Sequence, residues 1–170
     1  MYIKALSLTK RNLSLINDLA NVWQKSVKAT HLFLSTKDIE ELRPEVIAGL
    51  KQIPILLVAF SDDDEPIGFA GIAEQKLEML FISPDYFNHG LGYKLISIAI
   101  NDYHIIYVDV NEQNPHALKF YQRQGFVIFN RSDLDSANRP FPILYLKKLL
   151  KVARILVTFL LFISPSGACS

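Results

Sequence analysis

The sequence predicts a mixed α/β fold, a single sheet of about seven strands with helices packed on it. Three observations lead there. A chain of 170 residues is the size of one domain. Half of its residues are hydrophobic and 21% are charged, which suits a buried core. Runs with the two-residue period of a strand also interleave with runs of helical period, in the order β-α-α-β-β-β-α-β-α-β-β.

Residues 2–8 alternate loosely between polar and apolar and read as the first strand. Residues 12–28 set Leu15, Ile16, Leu19, Ala20, Val22, Trp23 and Val27 at helical spacing, leaving Asn17, Asp18, Gln24 and Lys25 for solvent. A second helix starts at Thr36-Lys37-Asp38; Pro44 is expected to interrupt it, and residues 45–51 to resume it. Residues 53–60 and 67–73 are two apolar runs around Ser61-Asp62-Asp63-Asp64-Glu65-Pro66, the pattern of a hairpin. The acidic tip lacks the alternating ligand spacing of a calcium loop and reads as a solvated turn.

Residues 76–83 form the next strand, and residues 84–92 are a loop rich in turn formers. A helix beginning near Gly90 carries Leu95, Ile96, Ala99 and Ile100 on one face. Residues 105–110 are a short β-branched strand. Residues 114–124 form a helix capped by Asn114, with Pro115 at its first position and Gly125 as its left-handed stop. Residues 126–131 and 142–148 close the sheet.

Eighteen Lys and Arg against seventeen Asp and Glu give a net charge of +1, which argues against nucleic acid or an anionic membrane as the main partner. The single cysteine, Cys169, excludes a disulfide framework and a multi-cysteine zinc site. The four histidines are scattered along the chain, so no metal is expected. The first residues lack the pattern of a signal peptide, so the expected location is the cytoplasm. Residues 149–170 are a hydrophobic extension beyond a domain spanning residues 1–148. Its apolar stretch is interrupted by Lys151 and Arg154 and is shorter than the roughly 20 residues a spanning helix needs. An extra strand or helix packed on the body, or on a second subunit in a homodimer, is the expectation; a peripheral anchor and a tail without a role are the alternatives.

The loop after the fourth strand carries the first chemical signal. Amides at a helix start are unpaired and sit at the positive end of the helix dipole, and glycine lets a bulky anion approach them. The amides of Asn88, His89, Gly90, Leu91, Gly92 and Tyr93 are therefore placed to cradle a pyrophosphate. The loop is no Walker motif, because no Gly-Lys-Ser/Thr follows, and Leu95 replaces the third glycine of a dinucleotide fingerprint.

A second segment, Asn114-Pro115-His116-Ala117-Leu118-Lys119-Phe120-Tyr121 leading into Gly125-Phe126, completes a pattern. With Phe87-Asn88-His89-Gly90-Leu91-Gly92 before it, the chain resembles the GNAT superfamily of N-acetyltransferases. That family's loop reads Gln/Arg-x-x-Gly-x-Gly/Ala and its second motif Asn-x-x-Ala-x-x-Phe-Tyr followed by Gly-Phe. The resemblance runs from about Tyr2 to Lys148 and implies a GNAT-like seven-stranded sheet flanked by about four helices. It also implies acetyl-CoA as cosubstrate and an amine, small-molecule or peptide, as acceptor. The family's roles map onto backbone pairing of Leu80, Phe81 and Ile82 with the pantetheine arm, pyrophosphate binding by the loop amides, a cofactor contact from Asn114, and proton donation to the thiolate by Tyr121. The first loop position departs from the pattern: Phe87 stands where Gln or Arg is usual, and His89 is placed to compensate near the phosphates.

Acetyl transfer to an amine needs an amine without its proton, a stabilised thioester oxygen, a proton for the thiolate, and alignment. An unperturbed phenol titrates at about 10, above a typical thiol, so Tyr121 can serve the third need. A strand N–H near Leu80 suits the thioester oxygen. For the base there are two candidates. The two-residue period puts Glu78 on the same face as Leu80, with Lys76 next along it, and its alternative is a solvated or ion-paired carboxylate. His31 lies between the first two helices, in a segment that often walls the acceptor pocket of such enzymes, and its alternative is a structural histidine. His104 and His116 read as surface residues, and Asn111 and Glu112 as capping or solvated groups. A second reading of the whole chain is a catalytically silent acyl-CoA-binding module, acting as a sensor or partner subunit.

Overall fold

The computed structural model describes residues 1–149. Seven strands form one sheet in the order β1-β2-β3-β4-β5-β7-β6. The strands are β1 (Tyr2–Leu6), β2 (Ile55–Phe60), β3 (Pro66–Ala73), β4 (Lys76–Ile82), β5 (Tyr107–Asn111), β6 (Phe126–Ser132) and β7 (Ile143–Lys148), and the helices are α1 (Leu13–Thr30), α2 (Thr36–Gln52), α3 (Leu91–Asn101) and α4 (Pro115–Arg123). Every expected element is present in the expected order. The extension lies outside the described residues from residue 150 onward. Among the described residues no helix is long and apolar enough to cross a membrane.

Two apolar clusters sandwich the sheet. On one face Leu91, Leu95, Ile96 and Ala99 of α3 and Tyr121 of α4 pack against Ala70, Ile72, Leu77, Val108 and Leu146. On the other, Ile16, Leu19, Trp23 and Val27 of α1 and Ile39 and Leu50 of α2 cover Leu56, Val58 and Phe69. The helical stripe read from residues 12–28 is the stripe that is buried.

Pro44 does not break the second helix, as the sequence suggested; α2 is continuous from Thr36 to Gln52. Pro44 is exposed, so the carbonyl it deprives of an N–H partner faces water rather than the core. Ser35 and Asp38 form a reciprocal capping box at the start of α2, and Arg43 ties it to Gln24 and Asn21 of α1 at 3.0 and 2.9 Å. The acidic hairpin tip has partners of its own: the N-terminal ammonium binds Asp62, and the Tyr2 hydroxyl donates to Asp64.

Two features of β4 set up the site. It is antiparallel to β3 throughout, but parallel to β5 only at Lys76–Tyr107 and Leu77–Val108. Beyond those pairs β4 continues to Ile82 and β5 to Asn111 without pairing, so the sheet opens into a wedge with strand backbone along its sides. The second feature is a bulge. Gly71 pairs with Met79 and Ile72 with Leu77, leaving Glu78 as the extra residue. Leu77 and Leu80 consequently reach the same cluster under α3, which regular alternation forbids. The expectation that Glu78 and Leu80 share a face is therefore corrected: the bulge turns Glu78 away from Leu80.

Candidate active site at the split between β4 and β5

The loop leaving β4 is short and tightly wound. Ser83 accepts the Tyr86 amide at 2.9 Å, and Pro84 accepts that of Phe87 at 3.0 Å. Asn88 and Gly90 then take positive φ angles of 63° and 75°. Gly90 is the N-cap of α3 and supplies no side chain to it. The first helical bond is donated by Lys94 to the Gly90 carbonyl at 3.0 Å. The amides of residues 88–93 meet no acceptor among the described residues. Consecutive unpaired amides wound around left-handed residues make a concave anion receptor, reinforced by the helix dipole. A Cβ on Gly92 would stand 3.2 Å from Ile82 Cδ1 and 3.6 Å from the Phe120 ring, so glycine lets α3 press close to the end of β4.

Across the wedge, α4 begins with Asn114, buried at 7% exposure, whose Oδ1 accepts the Ala117 amide at 3.1 Å. Its carboxamide NH₂ makes no hydrogen bond to a described residue. Two turns on, Tyr121 is wedged edge-on between Phe120 and Phe126, with ring centroids 5.1 and 6.0 Å away. Burial pushes its phenol well above the ordinary value and keeps it protonated. The hydroxyl has no partner among the described residues, yet it is not one of the fully enclosed unpaired atoms, a condition met there only by Arg11 Nε. It is a protonated donor with an open side.

On the α1–α2 face, Lys76 is held between Asp109 at 2.7 Å and Glu78 at 3.1 Å. Burial would lower the Lys76 ammonium, but its hydrogen bonds to Asp109 and Glu78 outweigh that and hold it above its ordinary value. Glu78 thus takes the ion-paired alternative in this structure. Sequence reasoning missed Asp109 as its companion, because only the parallel register of β4 and β5 brings the two together.

His31 caps the carboxyl end of α1, its amide bonded to the Val27 carbonyl at 2.8 Å. Its ring meets Phe33 at 5.4 Å, and Phe33 meets Phe141 at 5.8 Å. Phe141 precedes Pro142, whose carbonyl accepts the Glu112 amide just past β5. This aromatic row joins the α1–α2 segment to the loop between β6 and β7 at the end of β5, where the wedge is open. Burial lowers the His31 imidazole below its usual range. Phe33 and Phe141 carried no sequence signal, since each lies in a loop and their contact spans the length of the chain. His89, His104 and His116 are exposed; Asn111 bonds the Gln113 amide at 2.8 Å, and Glu112 pairs with Arg131 at 2.7 Å.

The family profile of the acetyltransferase (GNAT) domain matches residues 27–136, a span holding both motifs and the wedge. The chain belongs to the GNAT acetyltransferase family. It is an acetyl-CoA-dependent acyltransferase. The peptidyl-lysine N-acetyltransferase YjaB of Salmonella typhimurium is 39% identical over 125 residues, 74% of this chain and 86% of that protein. The solution structure of apo-form YjaB from Escherichia coli superposes with a TM-score of 0.75 at 34% identity, covering 88% of this chain and 99% of the other. The PaiA N-acetyltransferase of Thermoplasma acidophilum, solved in complex with coenzyme A, shares the fold at 23% identity and a TM-score of 0.62, covering 88% and 100%.

Proposed function

We propose that this acetyltransferase modifies a primary amine, a peptidyl lysine in the first instance, by direct attack on acetyl-CoA bound in the split between β4 and β5. The carrying observation is the unpaired amides of residues 88–93 beside an open strand edge. The acceptor class follows the names of the relatives noted above, whose similarity spans most of both chains.

When bound, acetyl-CoA supplies an electrophilic thioester with a thiol leaving group. The residues present fit it. Amides of Asn88, His89, Gly90, Leu91, Gly92 and Tyr93 would hold the diphosphate, with charge-assisted hydrogen bonds each stronger than a neutral one. That cradle is built from backbone, so Phe87 in place of Gln or Arg leaves it intact. The edges of Leu80, Phe81 and Ile82 would pair with the amides of the pantetheine arm as a further strand pairs with a sheet. The carboxamide NH₂ of Asn114, which has no partner among the described residues, would donate to the same arm. Tyr121 donates its proton to the leaving sulfur, a role that needs a neutral phenol with one exposed side. The proton acceptor for the amine belongs on the opposite face, where Glu78 and His31 stand.

Thiol release from acetyl-CoA, measured with lysine-containing peptides and small amines, tests the reading. Transfer to peptides supports it. Coenzyme A binding without transfer to any amine would favour the silent acyl-CoA-binding module instead.

A further inference from the structure

Resting on that reading, we infer that the His31 imidazole takes the proton from the acceptor ammonium, and that Thr30 fixes the ring so that Nε2 carries the free lone pair. The Thr30 hydroxyl has one hydrogen and sits 2.8 Å from two atoms, the Ser26 carbonyl oxygen and His31 Nδ1. A carbonyl only accepts, so the hydroxyl hydrogen goes to Ser26. The bond to the ring must then be donated by Nδ1–H to Thr30 Oγ1. In the neutral ring Nε2 is left unprotonated, the tautomer of a proton acceptor.

Position and environment agree. The ring is anchored by its place at the end of α1, by Thr30 and by Phe33, and Phe33 bridges to Phe141 beside the open end of the wedge. The charged groups across from it are engaged elsewhere: Arg139 of the loop between β6 and β7 binds Asp135 of the same loop at 2.6 Å and Glu45 of α2 at 3.5 Å. Among the described residues no carboxylate pairs with His31, and burial favours the neutral ring. Glu78, by contrast, shares its carboxylate with a charged lysine.

The acceptor ammonium gives one proton to Nε2, and its freed lone pair forms the C–N bond to the acetyl carbon. The C–S bond breaks and the sulfur takes the Tyr121 proton. The second nitrogen proton restores Tyr121, and the proton on His31 passes to solvent. Thr30 acts through His31 and is a positioning residue.

The test compares His31→Gln, Thr30→Val and Thr30→Ser by steady-state kinetics across pH 5 to 9, with coenzyme A affinity measured by calorimetry on each protein. His31→Gln is expected to lower kcat/KM for the amine on the order of a hundredfold, to abolish the acidic limb of the profile, and to leave coenzyme A affinity within about twofold. Thr30→Val should lower kcat several-fold with little change in the coenzyme KM, and Thr30→Ser should restore it. Wild-type rates in His31→Gln, or an unchanged acidic limb, overturn the assignment. Loss of transfer in Glu78→Gln with His31→Gln unaffected moves the base to Glu78 and overturns it equally. A wild-type protein that binds no coenzyme A would instead bring down the reading of the wedge.

Discussion

Helices α3 and α4 pack on the same face of the sheet, yet they begin in opposite ways. At the start of α4, Pro115 removes one donor and Asn114 satisfies another with its own side chain. At the start of α3, Gly90 offers no side chain, the preceding turn is left-handed, and the amides stay open. Helices α1 and α2 resemble α4, with Asn12 and Ser35 as side-chain caps. Where the chain closes its own amides, the helix start contributes stability. Where it leaves them open, the same groups are available to an anion, and on the proposed reading the stability forgone, about 1 kcal/mol for a cap, would be recovered on diphosphate binding.

The largest effect expected from perturbing this pair of helices lies at Tyr121, on the self-capped one. Tyr121→Phe keeps the ring contacts and removes the proton, so kcat should fall by roughly two to three orders of magnitude. Coenzyme A affinity should stay within about twofold; unchanged turnover would remove the acid role. Next comes Gly90→Asp, which sets a carboxylate at the open start of α3. Aspartate is tolerated in the left-handed region and favoured near a helix N-terminus, so thermal stability should change little, while repulsion of the diphosphate weakens coenzyme A binding by about tenfold or more. A change in melting temperature without a change in affinity would reverse the meaning of the comparison.

Asn114→Ala should act mainly on stability. Loss of the cap costs about 1 kcal/mol, readable in a denaturant midpoint, with a smaller loss in coenzyme affinity if the carboxamide also touches the ligand. The smallest effect is expected from Phe87→Arg, which adds a cation beside amides that already suffice. Affinity for coenzyme A should rise by only a few-fold and decline with added salt.

The order of strands and helices along the chain, the Asn114 cap and the two motifs were legible in the sequence because each is written locally. Asn114 is readable as a cap and Gly125 as a left-handed stop from residue type alone, whereas the left-handed turn at Gly90 appears only in the folded backbone. The bulge at Glu78 was not, because a bulge is a property of pairing between β3 and β4. Neither was the parting of β4 from β5, which decides that a wedge exists at all. Pro44 was misread because a helix tolerates a proline whose lost bond faces water, and exposure cannot be seen from one strand of sequence. The Lys76–Asp109 pair and the His31–Phe33–Phe141 row share that cause: their partners are distant in the chain and meet only after folding.

The most direct test of the open helix start is a titration of the ¹⁵N-labelled protein with coenzyme A, followed by amide NMR. The amides of residues 88–93 should show the largest displacements, with those at the start of α4 moving less. A saturable titration that left residues 88–93 in place while other amides shifted would contradict the account.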